Sequence, residues 1–410
     1  MTWRTRRVGD LASLFNGFPF DAATFSSTEE MPLVRIRDLL ADEFETYIPV
    51  ATAPGGALLR NDDVVVGMDG DFNVQLWRRG TAALNQRLCA LRSRADCDPR
   101  FLAYALPRHL KVINDLTYAT TVKHLSSWQV AHIAIPAPDI EEQRAIADFL
   151  DEQTSRIDTL IAKQTQLITT LRERRSAVVT RAVTRGLNGA SLVETRNPFL
   201  PQIPEGWSQD RFGREIAVNE GQVDPSADPW AAMTLVAPNH IEGGTGRILG
   251  RESAAEQGAD SGKYLATSGQ ILFSKIRPAL NKIAIAVEDC LCSADMYPLS
   301  SRKGSDHRFI AHWMRATPFH NYVSVMSARV KMPKINREEL AAAPWARPPR
   351  DEQRQIVTYL DDRLATIDLL IERADRHIAL AKERRTALIT ATVAGQIDVR
   401  TTGRATQGVA

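Results

Sequence analysis

The sequence is poor in features that announce chemistry. It has only four cysteines, Cys89, Cys97, Cys290 and Cys292. Their spacing fits no zinc or redox motif, which points to free thiols in a reducing, cytoplasmic setting. No run approaches the roughly 18 apolar residues of a membrane span, and the opening MTWRTRRVGDLASLF lacks an apolar core of signal-peptide length. The eight histidines show no metal-ligand spacing. Charge of one sign is also missing. The net charge is +2, so whole-chain charge says nothing about partners. With 44% hydrophobic and 24% charged residues this is ordinary globular material, and 410 residues are enough for more than one domain.

Catalytic motifs fail on inspection. Asn197-Pro198-Phe199 resembles an adenine methyltransferase loop but lacks its second proline and lies in a linker. Gly258 through Tyr264 has one residue too few between its glycines for a phosphate loop, and Tyr264 where Ser or Thr is needed. Gly243-Gly244-Thr245-Gly246 reads as a turn. No catalytic constellation and no metal site is expected.

What is present is a repeat. EQRAIADFLDEQTSRIDTLIAKQTQLITTLRERRSAVVT, starting at Glu142, matches EQRQIVTYLDDRLATIDLLIERADRHIALAKERRTALIT, starting at Glu352, without a gap at a shift of 210 positions. Both copies lack Pro and Gly and place apolar residues on a seven-residue grid. Leu150, Ile157, Gln164 and Leu171 mark it in the first copy, with Leu160 offset beside it. Leu360, Ile367, Ala374 and Ala381 mark it in the second, with Leu370 offset. Each is read as a long helix whose apolar seam needs a partner, and the other copy is that partner.

The order of features is therefore domain, helix, domain, helix. Residues 1–138 form an α+β unit with short strands at Leu33-Val34 and Val64-Val65-Val66, and a helix around Phe101–Leu106 that Pro107 should stop. Residues 139–186 are the first helix, capped by Asp139 and ended by Gly186 and Gly189. A linker at 187–206 leads to a second unit, 207–347, whose Trp207, Phe212-Gly213 and Leu235-Val236 echo Trp3, Val8-Gly9 and Leu33-Val34. The second helix covers 348–396 and a disordered tail 397–410. This connectivity predicts an antiparallel helix pair, with about 45 residues at roughly 1.5 Å each giving a rod on the order of 65 Å. That length is near two turns of duplex DNA, at roughly 34–36 Å per turn.

Charge is uneven inside the units. Gly262–Arg337 holds twelve Lys and Arg against four acids, and Arg78–Lys123 nine against three. Basic stretches in a near-neutral chain are the footprint of phosphate binding. The candidate DNA-contacting residues are Asn73, Gln75, Arg78, Arg79, Thr121, Lys123 and His124 in the first unit. In the second they are Lys275, Arg277, Asn281, Lys282, Arg329, Lys331 and Lys334. The tips differ between units, as expected of two readers with different half-sites.

The Pro-x-Pro then Glu-Gln-Arg-x-Ile starts at Pro136 and Pro348, the Ile-Asp pairs at Ile157 and Ile367 and the Glu-Arg-Arg triplets resemble the conserved regions of type I restriction–modification specificity subunits. Leu84-Asn85-Gln86-Arg87 and Ser274-Lys275-Ile276-Arg277-Pro278 resemble that family's target recognition domains. The resemblance implies an α+β fold of two target recognition domains joined by two long antiparallel coiled-coil helices, a pseudo-two-fold tandem duplication. It implies a non-catalytic subunit that reads an asymmetric bipartite site in double-stranded DNA. Two modification subunits carrying S-adenosylmethionine and two restriction subunits using ATP and Mg would dock on it. Arg144, Glu173, Arg174 and Arg175, with Arg354, Glu383, Arg384 and Arg385, are the candidate docking residues. Two other readings share the layout: the specificity subunit of a related system with a fused methyltransferase–nuclease partner, and a coiled-coil adaptor for protein.

Overall fold

The computed structural model describes residues 3–28, 30–116, 123–218, 221–328 and 333–400. It divides into two compact units, residues 1–164 with 376–410, and residues 165–375.

In the first unit the strands are β1 (Ala12–Asn16), β2 (Met31–Val34), β3 (Tyr47–Ile48), β4 (Leu58–Leu59), β5 (Asp63–Gly67), β6 (Val74–Leu76), β7 (Ala82–Leu84) and β8 (Leu88–Ser93). They form two four-stranded sheets, ordered β1-β8-β5-β6 and β3-β2-β7-β4. The β5 run Val64-Val65-Val66 is buried on both faces, as its unbroken apolar run requires. Val64 and Val66 join the core under helix α1 (Pro99–Leu116), and Val65 joins the one reached by Leu59 and Trp77. Alternation of side chains along a strand makes that division.

Helix α1 runs through Pro107 instead of stopping there. Burial of Phe101, Leu102, Ala105, Leu106 and Leu110 outweighs the one hydrogen bond the proline removes. Helix α2 (Ile140–Arg185) follows, with the Asp139 carboxylate accepting from the Glu142 amide at 2.8 Å. Gly186, at φ +65°, ends it.

The second unit repeats this plan. Its strands are β9 (Ile216–Val218), β10 (Gln222–Val223), β11 (Leu235–Val236), β12 (Lys263–Ala266), β13 (Ile271–Ser274), β14 (Ile283–Ile285), β15 (Cys290–Cys292) and β16 (Met296–Ser301). The sheet β9-β16-β13-β14 matches β1-β8-β5-β6 strand for strand. The other sheet, β10-β12-β15-β11, keeps one parallel pair, β11 with β15, as the first unit keeps β2 with β7. Its edges differ: β3 lies on β2, whereas β10 lies on β12. Helices α3 (His307–Arg315) and α4 (Thr317–Ser327) stand where the first unit has α1 alone, and α5 (Arg350–Val393) is the second long helix.

Each unit is closed by a two-stranded clasp, Thr5–Arg7 with Ala134–Pro136 and Ser208–Arg211 with Pro344–Arg347. Beside each clasp two short helices touch through a glycine. A Cβ on Gly213 would lie 2.5 Å from the Ala341 Cβ, and one on Gly9 would lie 3.2 Å from the Ala131 carbonyl oxygen. The stretch expected as linker contains a β-hairpin, Leu192–Asn197 with Leu200–Pro204, because Leu200 and Ile203 are drawn into the second core. At the other end, residues 397–400 are ordered against the first unit. Val399 is buried in its core, and Arg400 pairs with Glu142 at 2.7 Å. Residues 401–410 lie outside the described residues.

The helices pair antiparallel within each unit. In the first, the start of α2 meets the chain just beyond α5, and Asp158 meets Arg385 at 2.9 Å. In the second, Arg175 meets Asp368 at 2.8 Å, and Trp207, beside the Gly186 that ends α2, donates to Glu352 at the start of α5. These are the same ion pair twice: the Asp of each Ile-Asp motif bonds the last Arg of the opposite Glu-Arg-Arg. The seam holds Leu150, Leu171, Leu360, Ile367, Ala374 and Ala381 buried, with Ile157 and Gln164 half-buried. Leu160 and Leu370 are not in it, being 45% and 44% exposed. The heptad steps alternate four and three through Thr154, Ile161, Ile168 and Arg175, which leaves Leu160 one residue outside.

Candidate nucleic-acid interface

Each sheet of the β1-β8-β5-β6 type sends a loop against the segment that follows the head helix. In the first unit, residues 68–73 between β5 and β6 face Lys123, His124 and Leu125. The Leu125 amide donates to the Met68 carbonyl at 2.7 Å and the Gly70 amide to the Lys123 carbonyl at 3.1 Å. Buried Phe72, in the left-handed region at φ +52°, anchors the loop while Asn73 stays exposed. Asp69 is the organiser, accepting from Arg87 at 2.5 Å and bonding His124 Nδ1 at 2.7 Å.

In the second unit, residues 275–282 between β13 and β14 face Pro333, Lys334 and Ile335. The Arg277 amide donates to the Pro333 carbonyl at 2.7 Å and the Ile335 amide to the Lys275 carbonyl at 2.9 Å. Two residues here take left-handed backbone, Arg277 and Asn281, at φ +44° and +50°. The frames correspond while the side chains do not: Asp69 and His124 in one, Ile276 and Lys334 in the other.

Six of the candidate contact residues are presented outward. Asn73, Gln75, Arg78 and His124 are exposed in the first unit, and Arg277 and Lys334 in the second. Lys275 is half-buried over the Tyr297 ring at 5.2 Å, an arrangement that aims a cation without consuming its charge. Four others are turned to the protein itself. Arg79 donates to the carbonyls of Asp38 and Ala41 and lies on the rings of Phe44 and Trp77. Lys282 gives its ammonium to the Pro238 carbonyl at 2.6 Å, Asn281 its amide to the Arg315 carbonyl at 3.2 Å, and Lys123 its ammonium to Asn114. Lone basic residues next to carbonyl-rich turns satisfy those turns first, since an unpaired buried carbonyl is costly. Thr121, Arg329 and Lys331 lie outside the described residues.

The docking candidates also divide. Arg144, Glu173, Arg174, Arg354, Glu383 and Arg384 are exposed. Arg175 and Arg385 occupy seam positions instead and are spent on Asp368 and Asp158, with Arg175 also donating to the Gly244 carbonyl at 2.8 Å. The residue between, Gln143 or Gln353, has a role that composition did not announce. Each is 1% exposed. Gln143 accepts from the Asp98 amide at 3.0 Å and donates to the Pro138 carbonyl at 2.9 Å. Gln353 accepts from the Asp306 amide and donates to the Pro348 carbonyl, both at 2.9 Å. Asp98 and Asp306 in turn cap the head helices, so Gln143 and Gln353 fix each head to its long helix.

The family model described as "Type I restriction modification DNA specificity domain" matches residues 1–170. The Escherichia coli "Type I restriction enzyme EcoDI specificity subunit" is 31% identical over 313 residues, covering 72% of this chain and 70% of that protein. The chain belongs to the type I restriction enzyme specificity subunits. A second Escherichia coli relative, the "Type I restriction enzyme EcoBI specificity subunit", is 27% identical over 414 residues, 97% of this chain and 86% of that one. A solved structure from work on the assembly and conformational transition of the type I R-M system superposes with a TM-score of 0.69 at 17% identity. It covers 97% of this chain and 98% of its own, and so supports the fold. As a specificity subunit the chain serves DNA target recognition and not catalysis, and its family works with methyltransferase and restriction subunits. Among the described residues no helix is long and apolar enough to cross a membrane.

Proposed function

We propose that this specificity subunit reads an asymmetric bipartite target in double-stranded DNA, one half-site per unit, with the helix pair setting the unspecified spacer. The observation that carries this reading is the pair of equivalent loop frames with unlike side chains. A shared frame holds two tips in the same relation to a duplex, and unlike tips make the half-sites differ. Asn73, Gln75, Arg78 and His124 are the proposed contacts in one unit, and Lys275, Arg277 and Lys334 in the other; Thr121, Arg329 and Lys331 remain proposed contacts beside them. The exposed Arg144, Glu173, Arg174, Arg354, Glu383 and Arg384 are the proposed docking residues for two modification subunits, which would bring S-adenosylmethionine. Two restriction subunits would bring ATP and Mg.

The deciding experiment is footprinting of the assembled complex on its own target, found by mapping methylated adenines in the host genome. Lys275→Glu with Arg277→Glu is expected to erase protection at one half-site only; equal loss at both would sink the two-reader assignment. Removing one heptad from both helices together is expected to change the preferred spacer. DNA affinity should fall steeply with salt, which an adaptor for protein would not show.

A further inference from the structure

Beside α3 the second unit has a cavity of about 390 Å³, lined among others by Arg175, Arg308, His312, Arg315, Asp361 and Asp368. Two of its guanidiniums are matched, Arg308 by Asp361 and Arg175 by Asp368. Arg315 is partly buried and has no carboxylate partner among the described residues. Its Nε and Nη2 donate to the Ile283 carbonyl at 3.3 and 2.9 Å. A Cβ on Gly246 would come within 2.0 Å of that Nη2, so a glycine is what lets the guanidinium lie there. His312 is buried, and its Nδ1 has no hydrogen-bond partner among the described residues. Desolvation, then the charge of Arg175, pulls the Arg315 pKa down to about 10. Three guanidiniums against two carboxylates, with an unused imidazole nitrogen, leave the cavity short of one anion.

The first unit shows that the frame does not demand this excess. The Asp98 and Asp306 caps align α1 with α3, which puts Tyr104 where His312 stands and Pro107 where Arg315 stands. There the Tyr104 hydroxyl donates to Asp151 at 2.7 Å, and Arg100 is shared among Asp98, Asp148 and Asp151. Arg100 thus has its carboxylates within the unit.

We propose that the second-unit cavity binds a phosphate-class oxyanion, held by Arg315 and Arg308 with His312 against its remaining oxygens. A guanidinium fork matches two oxygens of such an anion. The anion is either free inorganic phosphate or a phosphate group of the bound duplex.

The test is calorimetric titration of the full chain with inorganic phosphate at constant ionic strength, chloride being the balancing ion. Wild type is expected to bind phosphate, Arg315→Met to lose at least tenfold in affinity, and His312→Tyr, which installs the first unit's residue, to lose severalfold. Circular dichroism melts report folding, and a phosphate-dependent rise in Tm gives a second reading if either variant is marginal. Duplex DNA that displaces phosphate assigns the site to the nucleic acid, whereas independent binding assigns it to free phosphate. No binding beyond chloride, or wild-type affinity in both folded variants, overturns the proposal. The Lys275→Glu, Arg277→Glu protein should keep phosphate binding, which separates this site from half-site reading.

Discussion

The two units share the parts that hold a head to its long helix and differ in the parts that face outward. Gln143 and Gln353 make the same hydrogen bonds to the same backbone groups, and the Ser126 and Asn336 capping boxes open equivalent short helices. The loop frames on β5–β6 and β13–β14 correspond, while the facing pairs are Asp69 with His124 in one unit and Ile276 with Lys334 in the other. Duplication has thus kept positions whose polar groups are buried and must be satisfied, and freed positions that water satisfies anyway. Tyr104 and His312 mark the boundary, since they share a frame position but only one of them has its partner inside the unit.

The largest effects should test the shared frame. Gln143→Leu and Gln353→Leu each strip a buried amide N–H and a buried carbonyl of their partner, so each is expected to cost about 2–4 kcal/mol in chemical denaturation. Their near-equality is the point; a cost in one unit alone would break the equivalence. Next comes the glycine contact, where the units should part. Gly213→Ala drives a Cβ to 2.5 Å from Ala341 and is expected to cost about 1–3 kcal/mol. Gly9→Ala meets the Ala131 oxygen at 3.2 Å and should cost visibly less in the same assay.

The repeated ion pair gives a third comparison. Arg175 is 10% exposed and also serves the Gly244 carbonyl, whereas Arg385 is 38% exposed and its partner Asp158 is 53% exposed. Arg175→Met is therefore expected to lose about 1–3 kcal/mol. Arg385→Met should lose at most about 1 kcal/mol. Equal losses would mean that the backbone contact at Gly244 contributes nothing.

The helices, their pairing and the doubled domain plan were legible because burial leaves a period in the sequence, and 210-residue spacing repeats it. What side chains do inside that plan was not. Arg175 reads as a surface charge until the alternating four-and-three step places it in the seam, and Gln143 reads as helix surface until the Asp98 amide is seen beside it. At Pro107 and in residues 187–206 the local signals are overridden for one reason, the tertiary burial of Leu106, Leu110, Leu200 and Ile203. Arg277, which points outward, and Arg79, which is turned to the protein, look alike in sequence. Only the nearby carbonyls and rings separate a free cation from a structural one.

The smallest expected effect is on acid tolerance, and it returns to Tyr104 against His312. Burial first, then Arg315, Arg175 and Arg308, lowers the His312 pKa well below 6.5; Asp361 and Asp368 on α5 face the same space but are matched to arginines. A lowered folded-state pKa means that the unfolded chain binds the proton more readily. His312 therefore costs nothing above its unfolded pKa and destabilises increasingly as pH falls below about 6.5. Tyr104 in the same position stays neutral throughout that range, since its own pKa is raised to about 12. Tm measured in chloride between about pH 7.5 and 5.5 should decline in wild type and decline less in His312→Tyr. Phosphate should flatten the wild-type slope as well, because an anion beside the imidazole favours its protonated form. If the two proteins lose stability in parallel, the acid sensitivity lies elsewhere in the chain and the histidine is only a packed core residue.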